Sequence, residues 1–195
     1  MTVSLGSGTA RAAIALRGND LYQSPPEAVY ALLRAEHIPH NVWEPACGPG
    51  AIANVLEDCG RDVLRTDLVD YGQGKGLSGI DFLIPGLADD MGRGRAIVTN
   101  PPFKNAHEFV ERALTLSPYV AMLLRLAFLE SEKRRDILDN GRLSRVHVFR
   151  NRLPMMHREG WEGPKATSAT PFAWFIWDRS HKGPTTLNRI SWEAV

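Results

Sequence analysis

The apolar residues of this chain follow two spacings that alternate along its length. Short runs of consecutive apolar residues, of which Ala96-Ile97-Val98 is the clearest, end at turn residues and indicate buried strands. Between these runs apolar residues recur every three or four positions, as in residues 106–116, and indicate amphipathic helices. Strands that alternate with helices predict an α/β fold, in which a mostly parallel sheet is covered by helices on both faces.

The same pattern predicts where most elements lie. The predicted strands are residues 41–44, 61–67, 81–84, 95–99, 119–124, 146–149 and 172–177, and the predicted helices are residues 24–37, 51–59, 106–116 and 131–140. Ser24 is the expected N-cap of the first helix. Residues 172–177 are apolar on both faces and therefore predict a central strand. We expect residues 1–195 to form one domain, with residues 1–20 loose until something docks on them and residues 151–171 as a long loop.

The composition is ordinary for a globular protein, with 44% hydrophobic and 23% charged residues. The two cysteines, Cys47 and Cys59, form no Cys-x-x-Cys motif and no cluster with histidine, so neither a disulfide framework nor a zinc site is expected. No apolar run approaches the ~20 residues of a membrane helix, and the amino terminus lacks the apolar core of a signal peptide. These features predict a cytoplasmic protein without a metal or a membrane partner.

Charge is distributed unevenly, although the net charge is only +1. Residues 1–97 contain 8 Lys or Arg and 12 Asp or Glu, whereas residues 98–195 contain 15 Lys or Arg and 10 Asp or Glu. The basic second half is compatible with an anionic polymer as partner, and equally with a solvated surface.

A turn with two glycines joins the first predicted strand to the second predicted helix. Residues 43–50 read Trp-Glu-Pro-Ala-Cys-Gly-Pro-Gly, and the glycines allow a ligand to approach the backbone closely. The third glycine of a dinucleotide motif and the Lys-Ser/Thr of a phosphate-binding loop are missing. Glu44, at the strand end, would repel a phosphate but pairs well with an α-ammonium group.

Acidic residues also mark the next two predicted strands. Asp67 stands where doubly wound sheets commonly hold ribose hydroxyls. Asp81 would accept a hydrogen bond from an adenine amino group, and Phe82 would pack on the adenine ring. Each residue alone is readily explained as a turn cap or as core, but in this order the three favour an adenosyl ligand.

The most informative stretch is the Asn-Pro-Pro-Phe sequence at residues 100–103. Two prolines directly after a buried strand remove backbone donors and fix φ, which makes the turn rigid. The side-chain oxygen of Asn100 and the carbonyl of Pro101 would each accept one N–H of a planar amine, and Phe103 would stack on the attached ring. A plain β-turn with Asn at its first position is the alternative.

With these motifs in this order, the chain resembles class I, Rossmann-like S-adenosylmethionine-dependent methyltransferases over residues 21–177. It is most similar to DNA adenine-N6 methyltransferases. The resemblance implies a seven-stranded, mostly parallel sheet with a reversed last strand. It also implies that the target adenine is flipped out of the duplex and methylated directly, with positioning as the main contribution to catalysis. A separate target-recognition domain, which larger DNA methyltransferases carry, is not evident.

The family's motifs carry over residue by residue. The implied catalytic residues are Asn100, Pro101, Pro102 and Phe103, and the implied cofactor-binding residues are Tyr22, Ser24, Glu44, Ala46, Gly48, Gly50, Asp67, Asp81 and Phe82. Residues 22–25 correspond to a cofactor-contacting segment ahead of the first strand, where this chain has Ser-Pro in place of the more usual Thr-Pro.

Basic residues and a tryptophan in the long loop suit a nucleic-acid contact. Arg152, Arg158 and Lys165 would face phosphates, and Trp161 would stack on a base. Alternatively, the loop packs its apolar residues on the core. We expect nucleic acid as the partner, with DNA favoured over RNA. An RNA-base or protein-glutamine methyltransferase and a non-catalytic scaffold are the competing interpretations, and the oligomeric state is open.

Overall fold

The computed structural model describes residues 23–72, 75–140, 142–154 and 170–193. The strands are β1 (Asn41–Glu44), β2 (Asp62–Arg65), β3 (Ala96–Thr99), β4 (Tyr119–Arg125), β5 (Leu143–Phe149), β6 (Phe172–Asp178) and β7 (Thr186–Ile190). The α-helices are α1 (Pro26–Ala35), α2 (Ala51–Asp58), α3 (Leu87–Gly92), α4 (Ala106–Leu116) and α5 (Arg135–Leu138). Short 3₁₀ segments cover Phe103–Asn105, Leu126–Leu129 and Glu132–Arg134.

The seven strands of the described residues form one sheet, in the order β2-β1-β3-β4-β6-β5-β7. The first four strands are mutually parallel where they pair, β6 is antiparallel to both of its neighbours, and β7 is parallel to β5. The predicted fold class is therefore confirmed as a Rossmann-like, mostly parallel sheet with one reversed strand. All strands except β6 end at the same edge of the sheet, which we call the carboxyl edge.

The core lies on both faces of the sheet, and β6 shows why. Its alternate side chains enter opposite layers: Trp174 packs with helix α1, and Trp177 packs over α5. Each indole N–H donates to a helix carbonyl, that of Trp174 to Ala28 at 2.9 Å and that of Trp177 to Ile137 at 2.7 Å. A strand buried on both faces must be apolar throughout, so the prediction of a central strand here is confirmed.

Two strands differ from the sequence-based prediction. Residues 81–84 form a turn rather than a strand, because Oδ1 of Asp81 accepts the N–H of Leu83 at 2.9 Å and Pro85 follows. The seventh strand is instead β7, so the reversed strand β6 is not the last one in the chain. The pattern did not indicate β7 because this edge strand is almost wholly exposed and carries little apolar alternation.

Two helices also differ from the prediction. The first helix begins at Pro26 with Pro25 as its N-cap, so Ser24 is not the cap. The helix predicted over residues 131–140 is reduced to one 3₁₀ turn and the four-residue α5. Among the described residues, no helix is long and apolar enough to cross a membrane, and no three His, Cys, Asp or Glu side chains cluster as metal ligands would.

A buried charge network fixes the end of α1 to strands β4 and β5. Oε1 of Glu36 lies 2.5 Å from Nε of Arg145 and 2.6 Å from Nε2 of His147, and Oε2 accepts the Tyr119 hydroxyl at 2.9 Å. Burial opposes ionisation of Glu36, but these hydrogen bonds prevail and lower its pKa to about 2. The network lies at the edge of the sheet opposite the carboxyl edge, where β4 begins.

Candidate active site

A cavity of about 260 Å³ opens at the carboxyl edge, beyond β1, β2 and β3. Five segments form most of its lining: residues 23–24, the loop after β1, the loop after β2, the turn at residues 80–83, and residues 100–105. Parallel strands bring their carboxyl ends to one edge, which is where open α/β sheets bind ligands.

The loop after β1 is folded by its glycines. Gly48 and Gly50 both have positive φ, at 50° and 93°, a region that residues with a Cβ rarely occupy. The N–H of Gly50 donates to the carbonyl of Cys47 at 2.8 Å, and helix α2 begins immediately afterwards. Gly48 lines the cavity, whereas Gly50 faces away: a Cβ there would lie 2.5 Å from a terminal guanidinium nitrogen of Arg65.

Glu44 lines this cavity, and one of its carboxylate oxygens has no partner among the described residues. The side chain is only 1% exposed, and its Oε2 has no hydrogen-bond partner among the described residues. Burial raises the pKa of Glu44 well above its ordinary value, and the backbone N–H of Ala53 and the charge of Arg65 only partly offset that rise. A buried acceptor without a donor fits a ligand that supplies a charged N–H.

Asp67, two residues after the end of β2, also lines the cavity. Its Oδ1 accepts the N–H of Val69 at 2.8 Å, and its Oδ2 accepts the N–H of Gly48 at 2.8 Å. Burial raises the pKa of Asp67, while these backbone hydrogen bonds act in the opposite direction. Each carboxylate oxygen can accept more than one hydrogen bond, so the side chain retains capacity for hydroxyl donors.

Phe82 is held at the floor of the cavity by aromatic contacts. Its ring centroid lies 5.2 Å from that of Trp43 and 4.9 Å from that of Phe109. Arg112, on α4, donates from Nε to the carbonyl of Phe82 and pairs with Asp89 at 2.6 Å. These contacts fix the turn whose Asp81 carboxylate also lines the cavity.

The Asn-Pro-Pro-Phe turn follows the buried strand β3 and closes the cavity on its remaining side. Pro102 has φ −54° and ψ 127°, and its carbonyl accepts the N–H of Asn105 at 3.0 Å, which starts the short 3₁₀ segment. Asn100, Pro101, Pro102 and Phe103 all line the cavity. The ring of Phe103 contacts Phe172 at 5.6 Å and lies under the guanidinium of Arg125 at 4.2 Å.

No protein-family model matches this sequence, and no curated protein matches it significantly. Solved structures do match, among them the methyltransferase subunit of a type I restriction-modification system from Streptococcus thermophilus, with a TM-score of 0.61 and 11% identity. That match covers 93% of this chain and 51% of the other, so this chain spans about half the length of that subunit. A Pyrococcus horikoshii protein assigned as an RNA methyltransferase matches with TM-score 0.58 and 15% identity, over 89% of this chain and 98% of that one.

A third similar structure contains its cofactor. Magnesium protoporphyrin IX methyltransferase from Synechocystis, with bound S-adenosylmethionine, matches with TM-score 0.51 and 14% identity, over 92% of this chain and 87% of that one. This chain has the fold of S-adenosylmethionine-dependent methyltransferases.

The methyltransferase fold brings together most of the predicted site residues. Ser24, Glu44, Ala46, Gly48, Asp67, Asp81 and Phe82 line the same cavity as residues 100–103, and only Gly50 among the described cofactor candidates does not. Tyr22, Arg158, Trp161 and Lys165 lie outside the described residues. Arg152 is described, exposed and not part of the cavity wall.

Sequence reasoning missed two residues that shape this cavity. Tyr71 lines it, and burial together with the Asp67 charge raises the pKa of Tyr71 to about 12. Arg112 does not line the cavity, but it stabilises the turn at its floor by donating a hydrogen bond to the carbonyl of Phe82. No motif marked either residue, because one lies in a glycine-rich loop and the other on an amphipathic helix.

Proposed function

We propose that this protein binds S-adenosylmethionine and transfers its methyl group to an exocyclic amino nitrogen, most favourably N6 of adenine in DNA after base flipping. One observation carries the proposal: residues 100–103 line the same cavity as Glu44 and Asp67. Direct methyl transfer requires the turn that binds the amine and the loop that binds the adenosyl group to face the same site, because the reacting atoms must be held close together.

The cavity offers suitable partners for each part of the cofactor. The unpaired Oε2 of Glu44 suits the α-ammonium group, Asp67 suits the ribose hydroxyls, and Asp81 with Phe82 suits the adenine. Ser24 and Gly48 complete the wall at the methionine end. Once bound, S-adenosylmethionine supplies an electrophilic methyl group on a sulfonium.

Residues 100–103 would position the target nitrogen. The Asn100 side-chain oxygen and the Pro101 carbonyl accept its two N–H groups, which draws the lone pair out of conjugation and toward the cavity. Phe103 supplies an aromatic face for the base that carries the amine. Because an adenine amino group inside a duplex is out of reach, the base must leave the stack before it enters this site.

DNA is our first candidate substrate, because the amino-methyltransferase turn resembles that of DNA adenine-N6 enzymes and because the fold is similar to that of a restriction-modification methyltransferase subunit. RNA is the second candidate. It is favoured by the similarity to the Pyrococcus horikoshii protein, which this chain covers over 98% of its length.

Nucleoside mass spectrometry tests the proposal. DNA and RNA would be isolated from cells that express the wild-type chain, Asn100→Ala, or the control Asn188→Ala, which changes an exposed residue of β7. We expect N6-methyladenine in DNA with the wild type and the control but not with Asn100→Ala. If methylated bases appear only in RNA, RNA rather than DNA is the substrate. Wild-type samples in which neither DNA nor RNA gains a methylated base would refute the proposal.

A further inference from the structure

The arginines of the described residues fall into two groups. Eleven of them are held by hydrogen bonds or ion pairs to the protein, for example Arg145 to Glu36, Arg112 to Asp89 and Arg61 to the Ile38 carbonyl. The side chains of the other four make no hydrogen bond or ion pair within the described part of the chain: Arg125, Arg150, Arg152 and Arg189. All four are exposed.

These four arginines share one place in the fold. Arg125 is the last residue of β4, Arg150 and Arg152 follow the end of β5, and Arg189 is the penultimate residue of β7. β5 and β7 run in parallel, with Arg189 beside Val148, and both run in the same direction as β4. The four therefore lie along the carboxyl edge, which is also where residues 100–103 lie. We call them the arginine row.

Arg125 joins the arginine row to the candidate catalytic turn. Its guanidinium carbon lies 4.2 Å from the ring centroid of Phe103, which is a cation–π contact and not a hydrogen bond, so its N–H donors remain available. The row therefore starts beside the target position and runs away from the cofactor cavity, toward β7. Glu193, which follows β7, accepts a hydrogen bond from Asn151 and makes no ion pair with an arginine of the row within the described part of the chain.

We propose that the arginine row binds consecutive phosphates of the nucleic-acid strand that flanks the target base. This inference rests on the proposed function and adds the direction in which the substrate strand runs. From β4 to β7 there are three interstrand steps of about 4.8 Å, or roughly 14 Å in all. At about 3.4 Å of rise per nucleotide, the row spans about four nucleotides on one side of the target.

Salt-dependent binding of labelled oligonucleotides tests the row. The variant Arg150→Gln/Arg189→Gln removes two of its charges at exposed positions outside the cavity, and its thermal unfolding midpoint should match that of the wild type. The control Arg93→Gln removes an exposed arginine before β3, at the opposite edge, where its only ion pair among the described residues is a loose 3.8 Å contact with Asp90. Fluorescence anisotropy from 50 to 200 mM salt would be measured with adenine-containing single-stranded and duplex DNA.

In the double variant we expect about fivefold to tenfold weaker binding at low salt. The slope of log affinity against log salt should fall by about 0.7 to 0.9 for each arginine removed. The control should stay within about twofold of the wild type. An unchanged slope in the double variant, an equal loss in Arg93→Gln, or equally effective competition by poly-glutamate would each overturn the inference.

Methyl transfer measured in parallel separates this inference from the proposed function. If the wild type methylates the oligonucleotide and the double variant binds it with unchanged affinity, the phosphate-binding role of the arginine row is wrong and the proposed function stands. If binding depends on the row but no nucleic acid is ever methylated, the row is supported and the proposed function fails.

Discussion

The backbone N–H of Gly48 donates a 2.8 Å hydrogen bond to Oδ2 of Asp67. This bond ties the glycine loop after β1 to the end of β2, 19 residues further along the chain. Asp67 thus orients one wall of the cavity while its remaining acceptor capacity faces the space where we place a ribose. A single carboxylate couples the shape of the loop to ligand recognition.

Asp67→Ala should weaken S-adenosylmethionine binding by at least tenfold. The change removes two hydrogen bonds to backbone N–H groups, each worth about 1.5–3 kcal/mol when the acceptor is charged, and it also removes the ribose acceptor. Isothermal titration calorimetry would measure the affinity. Asp70→Ala is the matched control, because Asp70 makes a similar bond to Gly72 but is exposed and outside the cavity. Equal affinities for the two variants would contradict the assignment of Asp67.

Cofactor affinity should rise with pH through the ionisation of Glu44. Burial raises the pKa of this carboxyl, so the neutral form persists above pH 4.5, and only the ionised form pairs with an ammonium group. Arg65, Asp67 and Glu57 also act on this pKa, and the variants keep all three of these groups. Calorimetric titrations between about pH 5 and 7 avoid deprotonation of the ligand's own amine.

In Glu44→Gln we expect weaker binding and a loss of most of this pH dependence. Glu108→Gln, which lies on helix α4 away from Glu44, is the control and should keep the wild-type slope. If Glu44→Gln shows the same slope as the wild type, another group titrates and the role given to Glu44 is wrong.

Gly50→Ala should destabilise the fold by about 3 kcal/mol. The residue has φ +93°, which costs an L side chain about 1–3 kcal/mol, and the new Cβ would meet the Arg65 guanidinium that pairs with Glu57. Gly60→Ala is the control, since Gly60 has φ +79° but nothing within 4 Å of a Cβ. Urea unfolding measures both free energies. A loss no larger than that of Gly60→Ala would show that Arg65 moves aside freely.

Acid should unfold the wild type in part through Glu36. A pKa lowered from 4.5 to about 2 contributes stability that is fully present above pH 4.5 and is lost as the pH falls toward 2, on the order of 3 kcal/mol. Glu36→Gln should therefore be less stable at neutral pH, and its stability should change less between pH 5 and 2. The exposed Glu132→Gln is the control. An acid transition that is the same in all three proteins would exclude Glu36 as a major contributor.

Sequence alone predicted the elements whose signal is local. The bounds of β1 and of α4, and the buried strand before Asn100, follow directly from apolar spacing and from proline, so they were predicted to within one residue. The turn at Asp81 was wrongly predicted as a strand. The hydrogen bond from the Leu83 N–H to the Asp81 side chain forms the turn, and the spacing of apolar residues does not reveal such a bond. β7 pairs with β5 mainly through its backbone, and a pattern of apolar side chains does not report such pairing.

The residues of the candidate site likewise fall into those that the sequence predicts and those that only the tertiary structure reveals. Residues in motifs, such as Glu44 and Asn100, were found because their type and order carry chemical meaning. Arg125 and Arg112 were missed because their significance lies in what they contact, Phe103 and the Phe82 carbonyl, and both contacts depend on tertiary structure.

The adjacent prolines at positions 101 and 102 have a thermodynamic consequence. Their rings restrict the backbone in the unfolded chain as well as in the folded one, so little conformational entropy remains to be lost when a substrate arrives. The turn is ordered during folding, and binding free energy is then available for extracting and orienting a base rather than for shaping the receptor.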